Sequence, residues 1–270
     1  MDWTAARERL AAPIFAPLAP AFARLSADRW PTNQELTALA EGVKTARGKA
    51  LRFVRPREKN ERERRYYEQH IADTGEVETR PENWHDLFNA LTWVTYPRAK
   101  ARINAQHVAI LEEGGEAEAR RRSPERDALT LFDEGGVIVA SASAALLRLM
   151  VDFEWKELFW TRRAELLEKV RFLVFGHGCF EQALEPYLGM VAKTVFVPVS
   201  EYFLMSPPEA QLADADELVA SHFASRARFG SPKSMAPMPV LGVPGWHFDL
   251  QDEAFYNDDR HFRSKPKEAK

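Results

Sequence analysis

The stretch from Pro81 to His107, PENWHDLFNALTWVTYPRAKARINAQH, restricts the fold of this chain more than any other. Asn83 is placed to cap a helix by accepting from the amide of Asp86, whose own side chain can reach back. Trp84, Leu87, Phe88, Leu91 and Val94 then fall on one side, an apolar stripe that must face a core. His85, Asn89, Thr92 and Tyr96 line up on another side at steps of four, three and four. Pro97 lacks an amide hydrogen and clashes with the preceding turn, so the first helix ends or kinks there and a second follows to about Glu112. Ala101, Ala105, Val108 and Leu111 form the second apolar stripe, with Lys100, Asn104 and His107 along or beside it. Asn104 lies within that stripe, so its amide points inward and needs partners.

Around this pair of helices the pattern is mixed. Residues 1–31 give a short helix and an apolar segment punctuated by Pro13, Pro17 and Pro20, expected to cover a surface groove. ALTLF and VIVAS flank DEGG, Asp133 to Gly136, the pattern of a β-hairpin closed by a glycine-bearing turn. Gly114 to Arg122 reads as a charged loop. Leu166, Val170, Leu173, His177, Phe180 and Leu184 recur at steps of four and three, which favours one long helix through Gly176-His177-Gly178. A rival reading makes Phe172 to Phe175 a strand and the Gly-His-Gly a turn that opens a helix. From residue 231 the chain is proline-rich and extended, with Trp246, Phe248, Phe255, Tyr256 and Phe262 as anchors. The expected fold is α+β: a mainly helical single domain over residues 1–270 with one β-hairpin and an extended C-terminal tail over 231–270.

Composition narrows the function classes. A chain of 270 residues that is 45% hydrophobic can bury a substantial core. A net charge of −3 gives no global attraction to nucleic acid or anionic membrane. Cys179 is the single cysteine, which excludes an intrachain disulfide and a multi-thiolate zinc site; among apolar neighbours it reads as a small core hydrophobe. No apolar run reaches the roughly 18 residues of a membrane span. Leu10 to Ala23 is uncharged, but its prolines and the acidic Asp2 and Glu8 do not make a signal peptide, so the expected location is cytoplasmic. One local bias stands out: residues 47–65 hold nine Lys or Arg against three Glu. Interspersed glutamates fit a solvated face; the functional alternative is a surface for nucleic acid or another anionic partner, for which Tyr66 and Tyr67 are the interleaved aromatics.

TRPENWHDLFNALTWVTYPRAKARINAQH, RDALTLFDEGGVIVAS, FGHGCFEQALEPY, LGVPGW and FYNDD together resemble a bacterial family known as domain of unknown function 3025, over roughly residues 60–262. The resemblance implies a place for a site and no particular reaction. One departure is Gly178, where the family pattern leads one to expect a larger helix former such as alanine.

The chemistry these residues offer centres on histidine. His85 and His177 are the candidate catalytic and metal-ligating pair, with a carboxylate from Asp127, Asp133 or Glu134 completing the set. In this reading Asp127 is the catalytic carboxylate and Glu134 the metal ligand. Two imidazoles and a carboxylate suit zinc or non-haem iron, either of which activates bound water or oxygen. Asn89, Tyr96, Lys100 and Asn104 would bind a small polar or anionic substrate. None of the tight metal spacings, the glycine-rich phosphate loops or the GxSxG nucleophile turn is present, so whether the chain is an enzyme, and whether it holds a divalent metal, stays open. Each candidate also has a structural alternative: Asp86 as a helix-start carboxylate, His177 as a hydrogen-bonded core residue, Asp133 and Glu134 as turn residues. The two functions carried forward are a hydrolase or related enzyme with a polar His-based site, and a binding protein that uses the basic run.

Overall fold

The structure is a computed structural model that describes residues 2–58, 66–247 and 251–265. It is α+β and mainly helical. Strands β1 (Arg52–Val54) and β2 (Glu76–Glu78) pair in parallel as a small ribbon. The main sheet has four strands, β3 (Gly136–Ser141), β4 (Val170–Val174), β5 (Val191–Pro198) and β6 (Ala236–Pro239), in the order β4-β3-β5-β6. β3 runs antiparallel to β4 and parallel to β5, and β5 runs antiparallel to β6. All six residues of β3 are buried, as expected of a central strand covered on both faces.

The stretch from Pro81 to His107 folds as its pattern demands. Asn83 Oδ1 accepts from the Asp86 amide at 3.0 Å, and the helix runs Trp84–Thr95. Pro97 occupies the first turn of the next helix, Pro97–Arg120, where its missing amide hydrogen costs nothing. That second helix runs into the expected loop as far as Arg120, broken only at Gly115, whose φ of 58° suits a residue without Cβ.

Three expectations are corrected. Residues 124–141 do not form a hairpin: Pro124–Gly135 is a helix and Gly136–Ser141 a strand. Ser123 Oγ accepts from the Arg126 amide and Pro124 sits at the first helical position, a helix start strong enough to carry ALTLF with it. The long helix through His177 is absent as well. Arg163–Lys169 is a helix, Val170–Val174 is β4, and a new helix begins at His177 and ends at Ala183, as the rival reading had it. Finally, the N-terminal segment is core rather than cover: Phe15 is fully buried and stacks on Phe88 and on Phe180, both at 5.9 Å.

The C-terminal segment supplies β6 to the sheet edge and buries Trp246, Tyr256 and Phe262. Phe248 lies outside the described residues. No helix among the described residues is long and apolar enough to cross a membrane.

Candidate functional site

Two neighbouring strand ends create the site. Glu134 and Gly135 lead directly into β3, and Phe175 and Gly176 lead directly out of β4; the antiparallel register pairs Val137 with Val174, so these two connections lie side by side. The amides of Phe175 and Gly176 both donate to Gly136 O at 2.9 Å. A Cβ at Gly176 would stand 2.4 Å from Gly136 N and 2.5 Å from Glu134 O, so only glycine permits this approach. His177 therefore starts its helix directly over Glu134. The Trp84–Thr95 helix packs against the His177–Ala183 helix and brings His85, in its own first turn, to the same point.

His85 Nε2 and His177 Nε2 are 3.1 Å apart, and Glu134 Oε2 lies 3.4 Å from the second and 3.9 Å from the first. Both outer ring nitrogens face carboxylates. His85 Nδ1 is 2.7 Å from Glu181 Oε2, and His177 Nδ1 is 3.6 Å from Asp133 Oδ2, just beyond hydrogen-bond reach. The side chains grade from buried to open, His177 at 6% and Glu134 at 46% exposure, so the cluster is anchored on one side and reachable from the other. Glu134 is held below the usual carboxylate range by its hydrogen bond to His177, against the opposing effect of burial.

Behind this cluster sits a second charged pair. Lys100 is 5% exposed; its Nζ donates to Asp133 Oδ1 at 2.6 Å and to Asn89 Oδ1 at 2.9 Å, and it rides 5.3 Å over the Trp93 ring. Burial pushes Asp133 up, but the Lys100 ammonium and His177 outweigh it, and the carboxyl ends below its ordinary value. These groups line one cavity of about 320 Å³, which extends past Asn104, His107, Arg122 and Arg126.

The structure thus brings together His85, His177 and Glu134, with Asn89, Lys100 and Asn104 lining the same cavity. Two expected site residues are not there. Tyr96 is fully buried and its hydroxyl donates to Val174 O at 3.1 Å, because the first helix ends before Tyr96 and turns the ring into the core. Asp127, expected as the catalytic carboxylate, is exposed on the Pro124–Gly135 helix and does not line the cavity. Asp133 and Glu134, the other carboxylates of the expected set, lie at the opposite end of that helix, beside the histidines. Asp86 turns back onto Arg80, whose amide and guanidinium it accepts at 2.7 and 2.8 Å. Glu181 was missed; its spacing of four from His177 places both on one helical face, a signal usable once the helix is known to begin at His177.

Of the basic run, residues 59–65, including Arg62, Arg64 and Arg65, lie outside the described residues. Arg47 bridges Asp73 and Glu112, and Arg52 pairs with Glu76 at 3.2 Å.

The fold and the cluster define a helical α+β protein with a His-His-carboxylate pocket at the ends of two antiparallel strands. The chain belongs to the family described as protein of unknown function (DUF3025), whose model matches residues 51–266. A comparison with curated proteins and with solved structures returns no match.

Proposed function

We propose that His85, His177 and Glu134 hold one divalent metal ion and that the protein is a metal-assisted hydrolase acting on a small polar molecule. The observation that carries this reading is the convergence of three donor atoms on one point. With carboxylates behind both Nδ1 atoms, a metal ion that displaced the proton shared among the two Nε2 atoms and Glu134 would leave each imidazole protonated on its outer nitrogen, with the Nε2 lone pair turned inward. Two imidazole nitrogens and a carboxylate oxygen this close repel one another unless a cation, either a proton or a metal ion, lies between them. Separations of 3.1, 3.4 and 3.9 Å match the edge of a tetrahedron with ligands about 2.1 Å from its centre, which is ~3.4 Å. Three protein ligands leave a further coordination position open, and a metal there would lower the pKa of a bound water to about 7.

The chain's own groups complete the arrangement. Glu181 fixes the His85 orientation, as carboxylates commonly do behind metal-bound histidines, and Asp133 stands 3.6 Å behind His177 Nδ1. Lys100 keeps Asp133 ionised, and the half-exposed side of the cluster faces the cavity through which a substrate would enter.

Cobalt(II) substitution tests the hydrolase reading. Addition of one equivalent should give a visible spectrum that changes with pH through a single midpoint near neutrality, as an ionising bound water does. A spectrum that forms but does not respond to pH would leave a metal site without the activated water that hydrolysis requires.

A further inference from the structure

One face of the Pro97–Arg120 helix forms part of the cavity wall, and two of its polar residues have hydrogen-bonding characters fixed from behind. Asn104 is 2% exposed, and its Nδ2 donates to Glu68 O at 2.9 Å and to Glu68 Oε2 at 2.7 Å. A flipped amide would set its oxygen against two acceptors, so Oδ1 must point the other way, where it has no partner. Natural proteins rarely leave a buried acceptor unmet. His107, three residues on, is 4% exposed, and Arg126 Nε approaches its Nδ1 at 3.5 Å. A guanidinium only donates, so Nδ1 accepts and the ring proton resides on Nε2. Burial lowers the His107 pKa against the opposing Glu68 carboxylate, with a smaller contribution from Arg126 in the same direction as burial, and favours the uncharged ring. The charges on this wall are largely matched internally: Arg126 lies 3.4 Å from Glu118 Oε1 and Lys100 2.6 Å from Asp133 Oδ1.

We propose that Asn104 and His107 form a recognition subsite for an uncharged group presenting an N–H donor beside a C=O acceptor, the edge of a carboxamide or a cyclic imide. Asn104 Oδ1 accepts the N–H and His107 Nε2 donates to the carbonyl; residues three apart on a helix are neighbours, close enough to grip one such group. The subsite rests on the hydrolase reading only in calling its ligand a substrate. The rival ligand is a carboxylate, which Arg122, exposed in the same lining and hydrogen-bonded to Thr130 Oγ1 at 3.3 Å, would recruit.

Three matched probes separate these cases: benzamide has donor and acceptor, acetophenone the acceptor alone, and benzoate a charge. Titrated calorimetrically into the full-length protein, benzamide should bind at least tenfold more tightly than either of the others. Asn104→Leu should erase that preference, and His85→Ala should preserve it. Equal affinities, benzoate binding tightest, or binding of none of the three would overturn the subsite; since the comparison is made in the unmodified protein, it survives a failure of Asn104→Leu to fold. Metal uptake with no amide preference would fault this inference alone, and an amide preference without metal uptake would fault the metal reading alone.

Discussion

Glu134 Oε2 occupies the space that a side chain at Gly178 would need: a Cβ there would stand 2.9 Å from that oxygen and 3.0 Å from Glu134 O. The glycine that departs from the expected family pattern is therefore what lets the carboxylate reach His177. Gly178→Ala should still fold, with the gain of a better helix former set against the shift that the Glu134 backbone oxygen must make; the flexible end of the Glu134 side chain is displaced first. Metal affinity should fall about 10- to 100-fold, the usual cost of disturbing a ligand's support. Calorimetric zinc titration beside thermal unfolding measures both; unchanged affinity would mean that Glu134 is no ligand.

Lys100 and Asp133 form a pair whose halves cannot be removed one at a time. Asp133→Asn strands a buried ammonium and should cost about 3–5 kcal/mol, whereas Lys100→Met with Asp133→Leu should cost less than the sum of the single changes. Acid adds a sign. The folded pKa of Asp133 lies below its ordinary value, so its contribution is fully present above about pH 4 and lost as pH falls through the folded pKa. Urea unfolding at pH 7 and pH 3 should show a larger acid penalty for the unmodified protein than for the double variant.

Tyr96→Phe should separate structure from site. Removing the hydroxyl from Val174 O strips one buried hydrogen bond and should lower stability by about 1 kcal/mol. Metal stoichiometry and affinity should not change, because Tyr96 does not line the cavity; a loss of metal binding in a folded variant would restore it to the site.

Cys179 should behave as a core residue. Burial pushes its thiol up to about 12, so a thiol reagent at pH 8 should modify native protein far more slowly than protein in guanidinium. Equal rates would place it at the surface.

The helix pair was legible because cap, stripe and proline agree over 27 residues from Pro81 to His107. The meeting of His85, His177 and Glu134 was legible as residue types, and its geometry was not, since it depends on strand ends that the patterns misassigned. Leu166, Val170 and Leu173 repeat at helical steps, but Val170 and Leu173 belong to a five-residue strand, and short apolar runs do not distinguish helix from strand by period. Leu129 and Phe132 likewise fit either reading, and Ser123-Pro124 carried the deciding information. Tyr96 aligned with His85 only if the helix continued to it, and the helix ends one residue earlier, at Thr95. That Asp127 lies away from the cavity while Asp133 lines it was not legible for a simpler reason: nothing local distinguishes the two, six residues apart on the same helix.

Metal content tests the central claim most directly. Protein purified without chelator, stripped and reloaded with zinc, then desalted, should retain one ion per chain by elemental analysis, while His85→Ala, His177→Ala and Glu134→Gln, each confirmed as folded, should retain well under half an ion. Retention of zinc by all three folded variants, or its absence from the reloaded unmodified protein, would contradict the account and leave a proton shared by His85 and His177 as the cation at that point.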